Sequence, residues 1–220
     1  MYIIGSISTA FLLITYTPNG DLLMKTVIPS NYYDMGQAKS FEEVKSKYEK
    51  LIVSTEKEIK KEFPEFKDVT IPKTLFLSII MQESKGNSYA MRYEPKFYDW
   101  LQRKVTSEEI SPFAKHASRF TELKARATSF GPMQVMGQTA RQMGFRGVFL
   151  TELTNPEVGL YCGMLYYFQQ HQKHGTIEAA LSAYNAGTPR LNLQGKYQNQ
   201  EYVDSVLAHK QRFDLITMDV

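Results

Sequence analysis

KTLFLSIIMQESKGN, residues 73–87, is the stretch on which the reading of the whole chain turns. Pro72 precedes it, a residue tolerated at a helix start, and Gly86 stops it, so the segment predicts a short helix ending near Glu83. On that helix Phe76, Ile79, Ile80 and Glu83 lie three or four residues apart and share one face, so a carboxyl group extends an apolar stripe. Desolvation disfavours the charged form. A carboxyl held there has a raised pKa, stays a proton donor near neutral pH and suits general acid catalysis. The plainer reading has Glu83 bend out to water or accept hydrogen bonds from the SKGN loop, and this stretch alone leaves both open.

Working outward, Ser40 and Glu43 form a capping-box pattern, and Phe41, Val44, Tyr48, Leu51, Ile52 and Ile59 follow at helical spacing, which predicts an amphipathic helix ending before Pro64. Residues 93–128 carry aromatic and charged residues without a long regular pattern. They read as an excursion from the main body, with short helices in SEEISPFAKHASRF and ELKAR. SFGPMQVM (129–136) reads as a constrained turn and GQTARQMG as a short helix closed by Gly144. Asn155 and Pro156 start a helix running to Gly175, Thr176 caps TIEAALSAYNAG, and EYVDSVLAHKQRF predicts a last helix. The fold class is therefore mainly α, with no βαβ alternation and no internal repeat.

At the N-terminus, YIIGSISTAFLLITY (2–16) is apolar but has no Lys or Arg before it, and it is short of the roughly 18 residues a membrane helix needs. Its β-branched content, followed by TPNGD and LLMKTVI, predicts two strands around a Pro-Asn-Gly turn rather than a targeting segment. The organisation expected is a β-hairpin appendage over 1–36, an amphipathic helix and linker over 37–70, and a main domain over 71–215 with an insert at 93–128.

A chain of 220 residues that is 43% hydrophobic and 22% charged has globular composition, and its net charge of +3 names no partner. KEIKKEF (57–63) alternates signs as a solvated helix face does, so no nucleic-acid footprint is read. Cys162 is the one cysteine, which excludes an intrachain disulfide; among apolar neighbours it reads as a buried, inert thiol. The HQKH pair, His171 and His174, lacks a nearby carboxylate and is not taken as a metal site.

Two further stretches carry chemistry unusual for a core. GPMQVM puts Gln134 in a tight turn between methionines, and SAYNAG puts Tyr184 and Asn185 at a helix end. Buried polar groups of these kinds need partners, and a ligand rich in hydroxyl and amide groups could supply them; taken singly, a Gln bonded to nearby backbone and an Asn acting as a C-cap are the better explanations. Taken in order, ESKGN, SFGPMQVM, ALSAYNAG and EYVDSVL resemble the soluble lytic transglycosylase family, whose catalytic domain has the goose-type lysozyme-like fold. The resemblance covers roughly residues 71–210.

It implies that Glu83 is the catalytic acid and base, with Ser84 beside it. It also implies that Gln134 and Met136 belong to a glycan-contacting turn, that Tyr184 and Asn185 line the same groove, and that Tyr202 approaches the glutamate. Ser88 stands where the family has proline, Pro132 where it has leucine, and the 93–128 excursion is longer than the common linker, with room for a wall or lid of the groove.

Ordinary glycosidases need two carboxyl groups, about 5 to 5.5 Å apart for retention or about 6.5 to 9.5 Å for inversion. The family resembled uses one. The implied function is peptidoglycan lytic transglycosylation between N-acetylmuramic acid and N-acetylglucosamine, ending in a 1,6-anhydro product, with no metal or organic cofactor and peptidoglycan glycan strands as partner. Action in the periplasm or cell wall is expected, with phage-encoded or virion-associated delivery one route and the N-terminal segment a docking element for a larger assembly. The rivals are a hydrolytic lysozyme using Glu94, Asp99 or another acid of the insert, and a non-catalytic glycan-binding or virion module.

Overall fold

The computed structural model describes residues 40–218, together with the backbone of three strands nearer the N-terminus. The chain divides into two compact units, Met1–Gly36 and Gln37–Val220. The first holds an antiparallel sheet of β1 (Tyr2–Ile7), β2 (Ala10–Tyr16) and β3 (Leu22–Val27), in that order. This is one strand more than the sequence predicts. The apolar run 2–16 is long against a usual strand of about 5 to 6 residues, and it pairs with itself, Ile7 opposite Ala10 and Tyr2 opposite Ile14. The expected Pro18-Asn19-Gly20 turn lies outside the described residues.

The second unit is mainly helical and is built around α2 (Lys73–Ser84), the helix of the opening stretch. Thr74, Leu75, Phe76, Leu77, Ser78, Ile79 and Ile80 are all buried, so α2 is enclosed on every side rather than along one stripe. The reason is packing. α1 (Phe41–Glu62) lies on one side and α9 (Gln200–Met218) on another, while Phe76 meets Tyr167 and Phe168 of α7 (Pro156–His174). The buried Ser78 hydroxyl is satisfied by the Thr74 carbonyl at 2.6 Å.

Local chemistry sets the helix ends. The α1 capping box is formed, Glu43 N to Ser40 Oγ at 3.1 Å and Ser40 N to Glu43 Oε2 at 2.8 Å. α1 buries Phe41, Val44, Tyr48, Ile52 and Ile59 in the common core. Its Tyr48 hydroxyl donates to the Gly86 carbonyl at 2.8 Å, so α1 is tied to the loop that follows α2. Asn155 caps α7 through the Glu157 amide at 3.0 Å, and Thr176 caps α8 (Ile177–Ala186) through the Ala179 amide at 3.2 Å.

The insert opens and closes on a small sheet that sequence patterning did not reveal. β4 (Met91–Tyr93), β5 (Thr128–Phe130) and β6 (Val135–Met136) form an antiparallel ladder in which Tyr93 pairs Thr128 and Phe130 pairs Val135. Between β4 and β5 run α3 (Pro95–Lys104), α4 (Ser107–Ile110) and α5 (Arg119–Arg126), and these share a core of their own made of Tyr98, Leu101, Val105, Ile110, Leu123 and Ala127.

A buried ion cluster fastens this insert to the main body. The carboxylate of Glu122 on α5 accepts from Arg126 Nε at 2.9 Å and from Arg141 Nε at 2.8 Å, the latter on α6 (Gly137–Gln142). Arg141 also donates to the Phe145 and Gly147 carbonyls and lies 3.6 Å from the centre of the Phe113 ring. Removing one member of such a cluster leaves buried charge uncompensated. Glu122→Ala is therefore expected to cost roughly 3 to 5 kcal/mol in denaturant unfolding, whereas an effect below about 1 kcal/mol would mean that water reaches the guanidinium groups.

Candidate active site

Glu83 stands in the last turn of α2, where the helix dipole presents its negative end. Its carboxyl pKa is raised above the ordinary value by burial, an effect partly offset by a hydrogen bond from Tyr202 and by the positive charge of Arg92. The Tyr202 hydroxyl on α9 donates to Glu83 Oε1 at 2.7 Å. Burial, and then the neighbouring Glu83, hold that phenol well above its usual range, so it stays a donor.

The turn that faces Glu83 is held by side chains. Ser84 Oγ donates to the Pro132 carbonyl at 2.7 Å and accepts from Gly86 N at 3.1 Å. The Tyr184 hydroxyl donates to the Met133 carbonyl at 2.7 Å. Gln134 gives its amide hydrogens to the carbonyls of Ala90 at 2.8 Å and Gly131 at 3.0 Å, and its Oε1 accepts from Ser129 Oγ at 2.9 Å. Those three bonds offset the cost of the left-handed backbone at Gln134, where φ is 47°. Gly131 has φ 77° and lies so close to Leu153 that a Cβ would come within 2.1 Å of its carbonyl oxygen, so only glycine fits.

These elements enclose a cleft of about 380 Å³ lined by Glu83 with Gln134, Met136, Tyr184 and Asn185, and also by Arg92, Phe97, Ser129, Thr139 and Tyr166. The structure therefore brings Glu83 and four of the expected residues to one wall-to-wall space. Tyr202 reaches it through Glu83, whereas Ser84 is outside the lining, its hydroxyl spent on the turn. Asn185 is exposed and accepts from Asn199 Nδ2 at 2.9 Å.

Sequence reasoning missed Arg92, Phe97 and Tyr166. The first two sit at the edge of a stretch without regular pattern. Tyr166 follows a helical apolar run in which it looks like core, and the structure sets it on the cleft beside Tyr184, ring centres 5.3 Å apart and planes tilted by 47°.

Among the described lining residues Glu83 is the one acid. Glu94 lies outside the lining and pairs with Arg92 at 2.8 Å, and Asp99 is exposed on α3. A larger cavity of about 520 Å³ opens elsewhere, between α1 and α7, and Cys162 lines it. Burial pushes that thiol up to about 12, so it is an unreactive one. Among the described residues no group of three or more His, Cys, Asp and Glu could hold a metal ion, and no helix is long and apolar enough to cross a membrane.

The Glu83 carboxyl has a testable signature in stability. An acid whose folded-state pKa stands above its unfolded value contributes full stability below the unfolded value and loses it as pH rises through the folded one. Glu83→Gln is thus expected to melt near the wild type at about pH 4 and above it at neutral and alkaline pH. A melting difference independent of pH would show that the carboxyl is not desolvated.

A family model described as Transglycosylase SLT domain matches residues 65–205. No curated protein and no solved structure matches the chain. The matched span runs from the 3₁₀ turn after α1 into α9 and contains Glu83, the Gly131–Met136 turn, Tyr184, Asn185 and Tyr202, and on that match the chain belongs to the transglycosylase SLT domain family.

Proposed function

We propose that the chain is a peptidoglycan lytic transglycosylase in which Glu83 acts first as acid and then as base. Membership of the transglycosylase SLT domain family supports the substrate class and, with it, action at the cell wall. The observation that carries the mechanism is the solitary, desolvated carboxyl of Glu83 in a cleft whose other described polar lining is neutral or cationic.

In the proposed reaction the protonated Glu83 carboxyl gives its proton to the glycosidic oxygen between N-acetylmuramic acid and N-acetylglucosamine. The bond from muramic acid C1 to that oxygen breaks, and N-acetylglucosamine leaves with a free 4-hydroxyl. Charge builds on C1 as an oxocarbenium-like state. The Glu83 carboxylate, steadied by the Tyr202 hydroxyl at 2.7 Å, then takes the proton of the muramic acid 6-hydroxyl as O6 bonds to C1. The product carries a 1,6-anhydro ring, and the proton borrowed at the first step is restored to Glu83. Gln134 and Tyr184, whose polar groups are bonded within the turn, shape the wall against which the sugars lie, and Asn185 at the exposed helix end meets their polar groups.

A hydrolytic reading needs a second carboxylate to direct water across the cleft. Its candidates fit poorly, because Glu94 is paired with Arg92 outside the lining and Asp99 faces outward.

Mass analysis of fragments released from purified peptidoglycan tests the reading. Anhydromuramic ends are expected, and Glu83→Gln should lower their release by roughly a hundredfold or more while leaving the fold intact. Reducing muramic acid ends alone would replace transglycosylation with hydrolysis. Because the first step needs the protonated carboxyl, activity should fall on the alkaline side through the raised Glu83 pKa. Tyr202→Phe removes a bond that lowers that pKa, so the alkaline limb should move upward; a limb unmoved in this variant would show that another group sets it.

A further inference from the structure

The insert presents an aromatic ledge that leads out of the cleft. Burial of Tyr98 and Leu101 in the insert's core leaves Phe97 and Trp100 on the adjoining side of α3. Phe97 is half-buried and lines the cleft with Glu83. Trp100 stacks flat on it, ring centres 5.5 Å apart and planes 10° from parallel, with 44% of its surface exposed. Each ring thus covers one face of the other, Phe97 at the cleft and Trp100 beyond its lining, where it keeps aromatic surface open to solvent.

The ledge stands on a braced base. Lys124 of α5 places its ammonium 4.3 Å from the Tyr93 ring centre and 4.9 Å from that of Tyr98, bridging β4 and α3. The Glu122 cluster then fixes α5 to the main body. Trp100 therefore sits at a set distance from Glu83 rather than on a free loop.

We propose that Trp100, backed by Phe97, forms an added saccharide subsite, on which a β-1,4 glycan strand continues past the cleft by stacking the C–H face of a sugar ring on the outer side of the Trp100 ring. This rests on the peptidoglycan reading above and extends it to the substrate length the protein recognises. The occupant follows from continuity with the cleft. A strand whose reacting sugars lie beside Glu83 must leave the cleft over one of its rims, and the rim at Phe97 carries the exposed Trp100 ring, whose rigid apolar area suits a sugar ring stacked upon it. The ledge belongs to the insert, so it would give this chain a preference for long strands that the shared turn and helix motifs do not encode.

Trp100 is the one tryptophan in the sequence, so its emission reports on the ledge alone. The full-length Glu83→Gln protein would be titrated with soluble, peptide-free peptidoglycan glycan strands of graded length, with a soluble α-glucan as control. Long strands should shift and quench Trp100 emission, whereas disaccharides bound at the cleft and the α-glucan should not. By calorimetry, affinity should grow with strand length, and Trp100→Ala and Phe97→Ala should each lower long-strand affinity by roughly five- to tenfold and flatten that growth.

Long strands that bind without changing Trp100 emission, with the same affinity in Trp100→Ala, would overturn the subsite and leave the cleft assignment standing. Failure of every strand to bind, together with absence of any fragment release by the wild type, would overturn the peptidoglycan reading and the subsite with it.

Discussion

The polar groups of one turn hold this site together. The carbonyl oxygens of Gly131, Pro132 and Met133 each accept a side-chain hydrogen bond, from Gln134, Ser84 and Tyr184 respectively. A buried carbonyl left without a donor costs about 1 to 3 kcal/mol, and a tight turn has few ladder partners to offer. Satisfying this turn draws the C-terminal ends of α2 and α8 to the same place. The residues with proposed chemical roles are then set by their neighbours: Glu83 precedes the Ser84 that grips Pro132, and Asn185 follows the Tyr184 that grips Met133. Holding and acting are divided between adjacent residues, so either can be tuned with the other in place.

Two glutamates show how strongly surroundings decide a carboxylate's part. Glu122 is buried with two guanidinium groups at hydrogen-bond distance and serves as a cross-link between the insert and the main body. Glu83 receives a phenol hydroxyl at 2.7 Å and feels only the more distant charge of Arg92, so burial dominates and its pKa rises. Neither role can be inferred from residue type. The number and charge of donors around each carboxyl separates an ion-paired cross-link from a desolvated carboxyl of raised pKa.

Much of the helical framework was legible in the sequence because its signals are local. Ser40, Asn155 and Thr176 cap where the pattern places caps, and Gly175 and Gly187 close α7 and α8 with φ near 79° and 78°. The enclosure of α2 was not legible, since its apolar spacing is the same whether one neighbour covers it or several do. The sheet at the base of the insert was hidden for a different reason. Strands of two or three residues are too short to show alternation, and their pairing is fixed by residues far apart in the chain. Glu83 stood out because a charge ended an apolar run. Arg92, Phe97 and Trp100 carry no such mark, and their place beside the cleft follows from the ladder that folds the insert back.

That ladder also sets how the insert is fastened to the body beneath it. Glu94 N bonds to the Ala127 carbonyl at 2.9 Å, one rung beyond Tyr93 and Thr128, so the insert leaves and returns at neighbouring points. The entropy of closing such a loop grows only with the logarithm of its length. The rung holds the two ends of the insert together, so the insert's own core forms apart from the packing around Glu83. Residues 94–127 are thus joined to the body at two places, the rung and the Glu122–Arg141 pair, while Ser84 and Tyr184 hold the turn beside Glu83 from helices outside the insert.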